Sequence, residues 1–208
     1  MHSLTLWIIT DFHHSIQAKI QLLKLLSMVV DPEYHLVLSL GDTINNRDEQ
    51  LPYLKELYQS IANLGFKLGA IHGNNEPTSA YTVTRQLGIN LHLERIEWQG
   101  YNFTGIGGFG LLNEADFADL DLRALAINQR TIFLTHIPPN LPLPVTGPYL
   151  HLHGHLHRAK PLRLYNQTYL LGCPAGIDLK LTKISIPVLD QLSAAEPIPA
   201  PTVYWLDL

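Results

Sequence analysis

Short apolar runs separated by amphipathic stretches organise the first half of the chain. Each run is mostly apolar and short, which favours strands buried on both faces of a sheet. The predicted strands cover residues 4–10, 34–40 and 66–72. Because helical periodicity fills the intervals between them, the order strand–helix–strand–helix–strand predicts a parallel α/β sheet.

The intervening stretches place apolar side chains at helical spacing. A first helix is predicted over 15–30, with Ser15 as its N-cap and Met28 in the core. Its expected inner stripe consists of Ile16, Ile20, Leu23, Leu26 and Val30. Further helices are predicted over 48–64, where Gly65 supplies the stop, and over 77–87.

Shorter apolar runs follow in the second half of the chain. They predict strands over 91–98, 101–106, 131–135, 149–153, 162–165, 168–171 and 203–206. A helix is expected over 115–127. Since strands of both halves end at candidate functional residues, we expect two sheets packed face to face in a single domain over residues 1–208.

Composition narrows the class of protein. Of the 208 residues, 46% are hydrophobic and 15% are charged, which permits a large core and is atypical of disorder. The net charge of −4 disfavours a general nucleic-acid binder, which would carry a basic face. Phosphate substrates stay compatible with this charge, because bound cations can supply positive charge locally.

Cellular location is predicted from the cysteine count and the hydropathy. Cys173 is the one cysteine, so no disulfide can form within the chain, as is typical of a reducing compartment. Residues 4–9 are too short for the apolar segment of a signal peptide. No stretch approaches the roughly 20 apolar residues of a membrane span. We therefore expect a cytoplasmic protein without a membrane segment.

Polar side chains able to bind metal follow the predicted strands in short motifs. The motifs are Asp11-Phe12-His13, Gly41-Asp42, Gly73-Asn74-Asn75-Glu76, His136 and Gly154-His155-Leu156-His157. Loops at strand ends are where protein scaffolds present functional side chains. Carboxylates, imidazoles and an amide oxygen are ligands that divalent metals accept. Together the motifs predict one shared metal site.

Each motif also has an ordinary structural interpretation when it is taken alone. Gly41-Asp42 and Gly73-Asn74 are common turn pairs, and His136 fits a buried, hydrogen-bonded histidine. His151 and His153 precede the last motif in the same strand, so they either face the site, support it or pack in the core. The occurrence of all the motifs in one chain favours the metal site.

In the order D-x-H, G-D, G-N-x-[DE], H and G-H-x-H, these motifs resemble those of the calcineurin-like metallophosphoesterase superfamily over essentially the whole chain. The resemblance implies a four-layer α/β fold, in which two mixed sheets pack together and are flanked by helices. It also implies two divalent cations in a dinuclear site. The implied ligands are Asp11, His13 and His157 for one metal, Asn74, His136 and His155 for the other, and Asp42 as the bridge.

The implied activity is that of a hydrolase of phosphate esters. Two cations held roughly 3.5–4 Å apart suit an in-line displacement at phosphorus by a metal-bridging hydroxide. Mn²⁺ is the first expectation for the metal, and Fe, Zn²⁺ and Ni²⁺ suit the same ligands. The expected partner is a small phosphate-ester substrate, and the sequence indicates no oligomeric state.

The chain departs from the superfamily pattern at two positions. Many phosphomonoesterases that it resembles carry a histidine at position 75, where it protonates the leaving oxygen, and an orienting aspartate at position 45. Here both are amides, Asn75 and Asn45, and an amide has no proton to give near neutral pH. With Asn75 in the catalytic position, a phosphodiesterase is expected rather than a phosphomonoesterase.

Other functions and other polar residues are weighed on the same basis. A non-catalytic, partner-binding scaffold on the same fold is the alternative function, disfavoured because every ligand position is filled. A nuclease is disfavoured by the acidic charge. Glu76 is expected to fix its loop as a hydrogen-bond acceptor. Arg47 and Arg158 either contact a substrate phosphate or are solvated surface side chains.

Overall fold

The structure is a computed structural model that describes residues 3–108, 125–139, 147–189 and 197–208. Its strands, in chain order, are β1 (Ser3–Ile9), β2 (His35–Ser39), β3 (Lys67–Ala70), β4 (Arg95–Trp98), β5 (Tyr101–Ile106), β6 (Thr131–Thr135), β7 (Leu150–His153), β8 (Lys160–Tyr165), β9 (Thr168–Gly172), β10 (Lys180–Pro187) and β11 (Thr202–Asp207). Its α-helices are α1 (Ile16–Leu26), α2 (Leu51–Asn63) and α3 (Thr78–Gln86). The helix predicted over 115–127 lies mostly outside the described residues.

The strands form two mixed sheets. The first sheet has the order β11-β10-β1-β2-β3, with β1, β2 and β3 parallel and β10 antiparallel to β1. The second sheet has the order β4-β5-β6-β7-β9-β8, with β5, β6, β7 and β9 parallel. The predicted α/β class with two mixed sheets flanked by helices is therefore confirmed.

Two apolar clusters hold these layers together. Between the sheets, side chains of both sheets form one cluster, which includes Leu6 and Leu38 of the first sheet and Leu134 and Leu152 of the second. On the outer face of the first sheet, a second cluster joins the strands to α1 and α2, with Leu22 among its members. β1 and β2 contribute side chains to both clusters, so these two strands are buried on both faces, as their apolar runs predicted.

The inner face of α1 differs from the predicted one. Ser15 caps the helix as expected, since its hydroxyl accepts a hydrogen bond from the backbone N–H of Ala18. The buried apolar positions, however, are Ala18, Leu22 and Leu26, whereas Ile16 and Ile20 are exposed. The expected stripe was therefore wrong for Ile16, Ile20 and Val30 and right for Leu26, because α1 faces the sheet with the i, i+4, i+8 row that begins at the small Ala18.

The end of α1 was also predicted too late. The helix ends at Leu26, and Ser27 is its C-cap. Met28 and Val30 consequently lie beyond the helix and are 64% and 77% exposed, so Met28 does not belong to the core. Asp31, which follows in the left-handed region, turns the chain toward β2.

β10, the strand that pairs with β1 on the side opposite β2, was not predicted from the sequence. Its apolar Ile184 and Ile186 lie in the cluster between the sheets. The strand expected over 91–98 is shorter than predicted and begins at Arg95, because Leu93 adopts a left-handed backbone conformation. The other predicted strands agree with the structure to within two residues.

This topology determines where the motifs meet. The carboxyl ends of β1, β2 and β3 lie at one edge of the first sheet, and the carboxyl ends of β6 and β7 lie at one edge of the second. The two edges are held together, since the ring of His136, after β6, is hydrogen-bonded to Leu40, after β2. Within the described residues, no helix combines the length and the apolar character that crossing a bilayer requires.

Candidate metal centre

Six of the predicted ligands meet in two adjoining groups of side chains. We call Asp11, His13 and His157 the open group, and Asp42, His136 and His155 the buried group. In each group the potential ligand atoms lie within 4.8 Å of one another. The groups adjoin because Oδ1 of Asp11 is 3.9 Å from Nε2 of His136. The structure thus brings residues that are distant in sequence to one place.

Asp11 is oriented by hydrogen bonds to only one of its carboxylate oxygens. Its Oδ2 accepts from the hydroxyl of Thr10 at 2.6 Å and from the backbone N–H of His155 at 2.9 Å. Its Oδ1 is directed toward Nε2 of His157, 3.4 Å away. The sequence analysis did not identify Thr10, although a hydroxyl directly before a candidate ligand is a signal for such a contact.

His136 is held with one ring nitrogen directed into the site. Its Nδ1–H donates to the carbonyl oxygen of Leu40 at 2.8 Å, and a carbonyl can only accept. The lone pair is therefore on Nε2, which lies 3.3 Å from Oδ2 of Asp42. A second hydrogen bond that fixes the tautomer is the usual arrangement of a metal-binding histidine.

The electrostatics of His136 and Asp42 favour positive charge near the carboxylates of Asp42 and Asp11. Burial by itself would lower the pKa of His136, but Asp42 and Asp11 raise it above its ordinary value. Burial would raise the pKa of Asp42, yet His136 and the backbone N–H of Asn75 lower it. The carboxylates thus favour positive charge at this point of the site, which a divalent cation would also supply.

Unpartnered buried atoms test whether these residues fit a metal. Three such atoms belong to the predicted ligands: Oδ1 of Asp11, Oδ1 of Asn74 and Nε2 of His136. A buried polar atom without a hydrogen bond typically costs about 1–3 kcal/mol. A carboxylate oxygen, an amide oxygen and an imidazole nitrogen are all ligands of divalent cations, so the residues present fit such ions.

The backbone at the ligands is itself unusual. The left-handed region is uncommon for residues other than glycine and costs roughly 1–3 kcal/mol at each position. Five predicted ligands adopt it, with φ between 46° and 66°: Asp11, His13, Asp42, His155 and His157. Sequence patterns give no sign of this strain. Its concentration at one place is what a functional site shows.

Two glycines allow the loops after β2 and β3 to touch. A Cβ atom on Gly41 would lie 2.3 Å from the backbone nitrogen of Gly73, and one on Gly73 would lie 2.0 Å from Oδ1 of Asp42. Gly41 also has a φ of 95°. The loop that carries Asn74 therefore packs directly against the loop that carries Asp42.

Glu76 connects the same two loops through hydrogen bonds to their backbone N–H groups. Its Oε1 accepts hydrogen bonds from the backbone N–H groups of Thr43 and Ile44, and its Oε2 accepts one from Gly73. The expected role of Glu76 as a loop-fixing acceptor is therefore confirmed. Burial raises the pKa of Glu76 to about 7, although the three N–H groups oppose that rise.

Asn75 and Asn45, the two amides at which the chain departs from the superfamily pattern, are in contact. The side-chain nitrogen of Asn75 donates to Oδ1 of Asn45 at 3.3 Å. The same oxygen lies 3.1 Å from Nδ1 of His13, so it orients that ring. The backbone N–H of Asn75 donates to Oδ1 of Asp42 at 2.8 Å. This amide pair thus connects the two ligand groups at the surface of the site.

His151 and His153 belong to neither ligand group. His151 and His153 are on the face of β7 opposite Leu150 and Leu152, which belong to the cluster between the sheets. Nε2 of His151 contacts the hydroxyl of Thr135 at 3.0 Å, and burial lowers its pKa to about 3. Among the alternatives considered, His151 therefore packs in the interior.

The fold and this site define the chain as a metallophosphoesterase, with two adjoining Asp/His groups consistent with a dimetal site. Residues 4–159 match the sequence profile described as calcineurin-like phosphoesterase. The chain therefore belongs to the calcineurin-like phosphoesterase family, as the motifs indicated. No curated protein matches the chain in sequence.

Solved structures support the fold at low sequence identity. The crystal structure of TT1561 from Thermus thermophilus is similar over 99% of both chains, with 12% identity and a TM-score of 0.67. A 5′-nucleotidase precursor from the same organism is similar over 100% of this chain and 55% of its own, with 13% identity and a TM-score of 0.60. A dimetal phosphatase from Danio rerio is similar over 88% of this chain and 94% of its own, with 9% identity and a TM-score of 0.51.

Proposed function

We propose that this protein hydrolyses phosphodiesters with two divalent cations, of which Mn²⁺ is the first candidate. The proposed ligands are Asp11, His13 and His157 for one cation, Asn74, His136 and His155 for the other, and Asp42 between them. We also propose that residues 1–208 form one catalytic domain. Strand pairing supports this, because β10 pairs with β1 and β11 pairs with β10, so that residues 180–207 lie in the same sheet as residues 3–9.

The site residues would prepare the reaction as follows. When bound, the cations acidify a water molecule and offset negative charge on the phosphoryl oxygens. Asp11 and Asp42 supply the negative charge that retains the cations, and the hydrogen bonds from Thr10 and Asn75 fix their orientation. The ring nitrogens of His136 and His13 are held by Leu40 and Asn45, so little reorganisation is needed on binding.

The observation that carries the diester preference is the contact between Asn75 and Asn45. An amide can donate a hydrogen bond to a leaving oxygen but has no proton to transfer near neutral pH. The absence of a general acid typically slows a reaction about 10²–10⁴-fold, and the cost is largest for poor leaving groups. An enzyme with this amide pair should therefore be weak on alkyl phosphate monoesters.

The test compares substrates that differ in their demand for an acid. With Mn²⁺ present, the wild type should hydrolyse a bis-aryl phosphate faster than a mono-aryl phosphate and should be slowest on an alkyl monoester. The double variant Asn75→His/Asn45→Asp should raise alkyl monoester turnover about tenfold or more, with little change for aryl esters. The leaving-group dependence of kcat is the measurement, and Asn46→His, at an exposed neighbouring position, is the matched control.

The outcomes separate this proposal from its alternative. A clear preference of the wild type for the monoester, or equal gains on alkyl and aryl esters, would contradict the diester assignment. Bound metal without turnover of any phosphate ester would instead favour the partner-binding scaffold.

A further inference from the structure

A cavity of about 390 Å³ opens beside the open group of ligands. His157, a proposed metal ligand, lines the cavity, so the cavity is continuous with the site. The loop after β9 forms another wall and is attached to the same centre, since the backbone N–H of Ile177 donates to the carbonyl of Asp11 at 3.0 Å. Binding pockets for small molecules typically measure about 300–1,000 Å³, so the volume is in the range of a ligand site.

The lining of the cavity combines an aromatic platform with a cation. Trp205 lies on β11, at the edge of the first sheet, and is 43% exposed. Pro174 and Leu206 contribute further apolar surface. The charges of Lys180 and Asp207 pair with each other, and Asp178 adds a further carboxylate, which disfavours a second anion. The apolar walls and the indole therefore suit a flat, uncharged group better than a second anion.

Arg158 supplies the cation of this cavity. It directly follows His157 in the chain and lines the same cavity. Among the described residues, no carboxylate forms an ion pair with its guanidinium group. An arginine without such a partner, adjacent to a proposed metal ligand, is suited to hold a phosphoryl oxygen by charge-assisted hydrogen bonds. The lining thus offers an anion contact close to the metal ligands and an indole further along the wall.

We propose that this cavity binds a planar aromatic substituent of the phosphodiester, such as a nucleobase, by stacking on Trp205 while Arg158 contacts the phosphate. The assignment rests on the proposed phosphodiesterase function and specifies the class of its substrate. Stacking of a base on an aromatic side chain is sequence-tolerant and contributes measurably to binding. The chain therefore discriminates between diesters by the group that remains on phosphorus after hydrolysis.

β11 offers a matched control for the stacking contact. Tyr204 precedes Trp205 and is similarly exposed, at 47%, but its ring lies beside the ammonium group of Lys183 and not in the cavity. Adjacent residues of a strand point to opposite faces of the sheet. Tyr204→Ala thus removes a comparable aromatic surface from the same strand without touching the proposed subsite.

Binding can be measured without metal and without turnover. Trp7 and Trp98, the other tryptophans, are only 4% and 8% exposed, so an accessible indole reports chiefly on Trp205. Adenosine 5′-monophosphate should quench the tryptophan fluorescence, whereas ribose 5-phosphate, which lacks the base, should not. By calorimetry, Trp205→Ala should weaken binding of the nucleotide about tenfold. Tyr204→Ala should change neither signal.

Activity provides the second arm of the experiment. Two diesters with the same leaving group are compared, thymidine 5′-(4-nitrophenyl) phosphate and methyl 4-nitrophenyl phosphate. In Mn²⁺ the wild type should favour the thymidine ester about tenfold in kcat/KM, and Trp205→Ala should remove that preference. Arg158→Gln should lower kcat/KM for both esters by the same factor.

The two arms distinguish failure of this inference from failure of the proposed function. Hydrolysis of both esters at equal rates, or equal effects of Trp205→Ala and Tyr204→Ala, would overturn the subsite while leaving the phosphodiesterase intact. Quenching by the nucleotide without hydrolysis of either ester would overturn the proposed function while supporting the subsite.

Discussion

The two ligand groups of the metal centre differ in how firmly the protein holds them. In the buried group, the side chain of His136 is fully enclosed, and Glu76 fixes the loop that follows Asp42. In the open group, the side chain of His157 is 44% exposed and lies at the mouth of a cavity. Under the proposed assignment of the two cations, the buried group would retain its cation more firmly, and the open group would be the one that meets solvent and substrate.

The largest expected effect comes from removing one histidine from each group. His136→Ala should lower kcat/KM by about 10³-fold or more and remove one equivalent of bound metal, because it leaves two buried carboxylates uncompensated. His157→Ala should lower kcat/KM less, and excess Mn²⁺ should partly restore it, since water can replace an exposed ligand. Metal analysis and turnover at increasing Mn²⁺ measure both effects.

His14→Ala is the control for this pair of substitutions. His14 lies beside the open group in sequence, but its ring packs against Tyr53 and belongs to neither ligand group. Equal losses in His136→Ala and His157→Ala, with equal recovery in metal, would remove the distinction between the groups.

An intermediate effect is expected from Glu76, whose hydrogen bonds fix the loop that follows Asp42 of the buried group. Glu76→Gln replaces a two-oxygen acceptor by a group with one acceptor oxygen, although three backbone N–H groups require partners. The free energy of unfolding should fall by about 1–3 kcal/mol, as measured by urea denaturation. Glu56→Gln, which breaks the partly exposed ion pair with Lys19, should cost less than about 1 kcal/mol. An unchanged stability in Glu76→Gln would show that the buried group does not depend on this tie.

The effect that is smallest at neutral pH, and that grows on acidification, concerns a buried histidine outside both groups. Burial, and after it the neighbouring His153, lower the pKa of His151 from 6.5 to about 3. Between these values the unfolded chain binds a proton that the folded chain does not, so stability is present above pH 6.5 and is lost as the pH falls toward 3. The unfolding free energy is measured across this pH range in the wild type and in His151→Gln. Its slope against pH should be smaller in the variant by about 1.4 kcal/mol per pH unit.

His14→Gln serves as the control for that pH series. If His151→Gln and the wild type lose stability in parallel on acidification, His151 is protonated in the folded protein. The contrast with His136, whose pKa its carboxylate neighbours raise, would then disappear.

The sequence predicted the parts of this fold that depend on local pattern. β1, β2 and β3 were recognisable because each is a short apolar run that ends at a polar residue. β10 was missed because its pairing partner, β1, lies at the other end of the chain. The buried face predicted for α1 differs from the observed one. Packing against the sheet, and not the number of apolar side chains, selects the row that contains Ala18.

The candidate site divides in the same way. Residue types and their order predicted which side chains to examine, and the structure brings Asp11, Asp42 and His136 together. The contact between Asn75 and Asn45 joins loops from two different strands, so no local pattern encodes it. Trp205 was not among the predicted site residues for the same reason. It shares a cavity with His157 only because β11 lies at the edge of the first sheet.

The close approach of Gly41 and Gly73 has a consequence for how this enzyme can diversify. The two loops can touch because glycine has no Cβ atom. Even an alanine at either position would collide with the opposing loop. Under the proposed substrate subsite, a change of substrate preference would therefore fall on exposed side chains such as Trp205 rather than on these two loops.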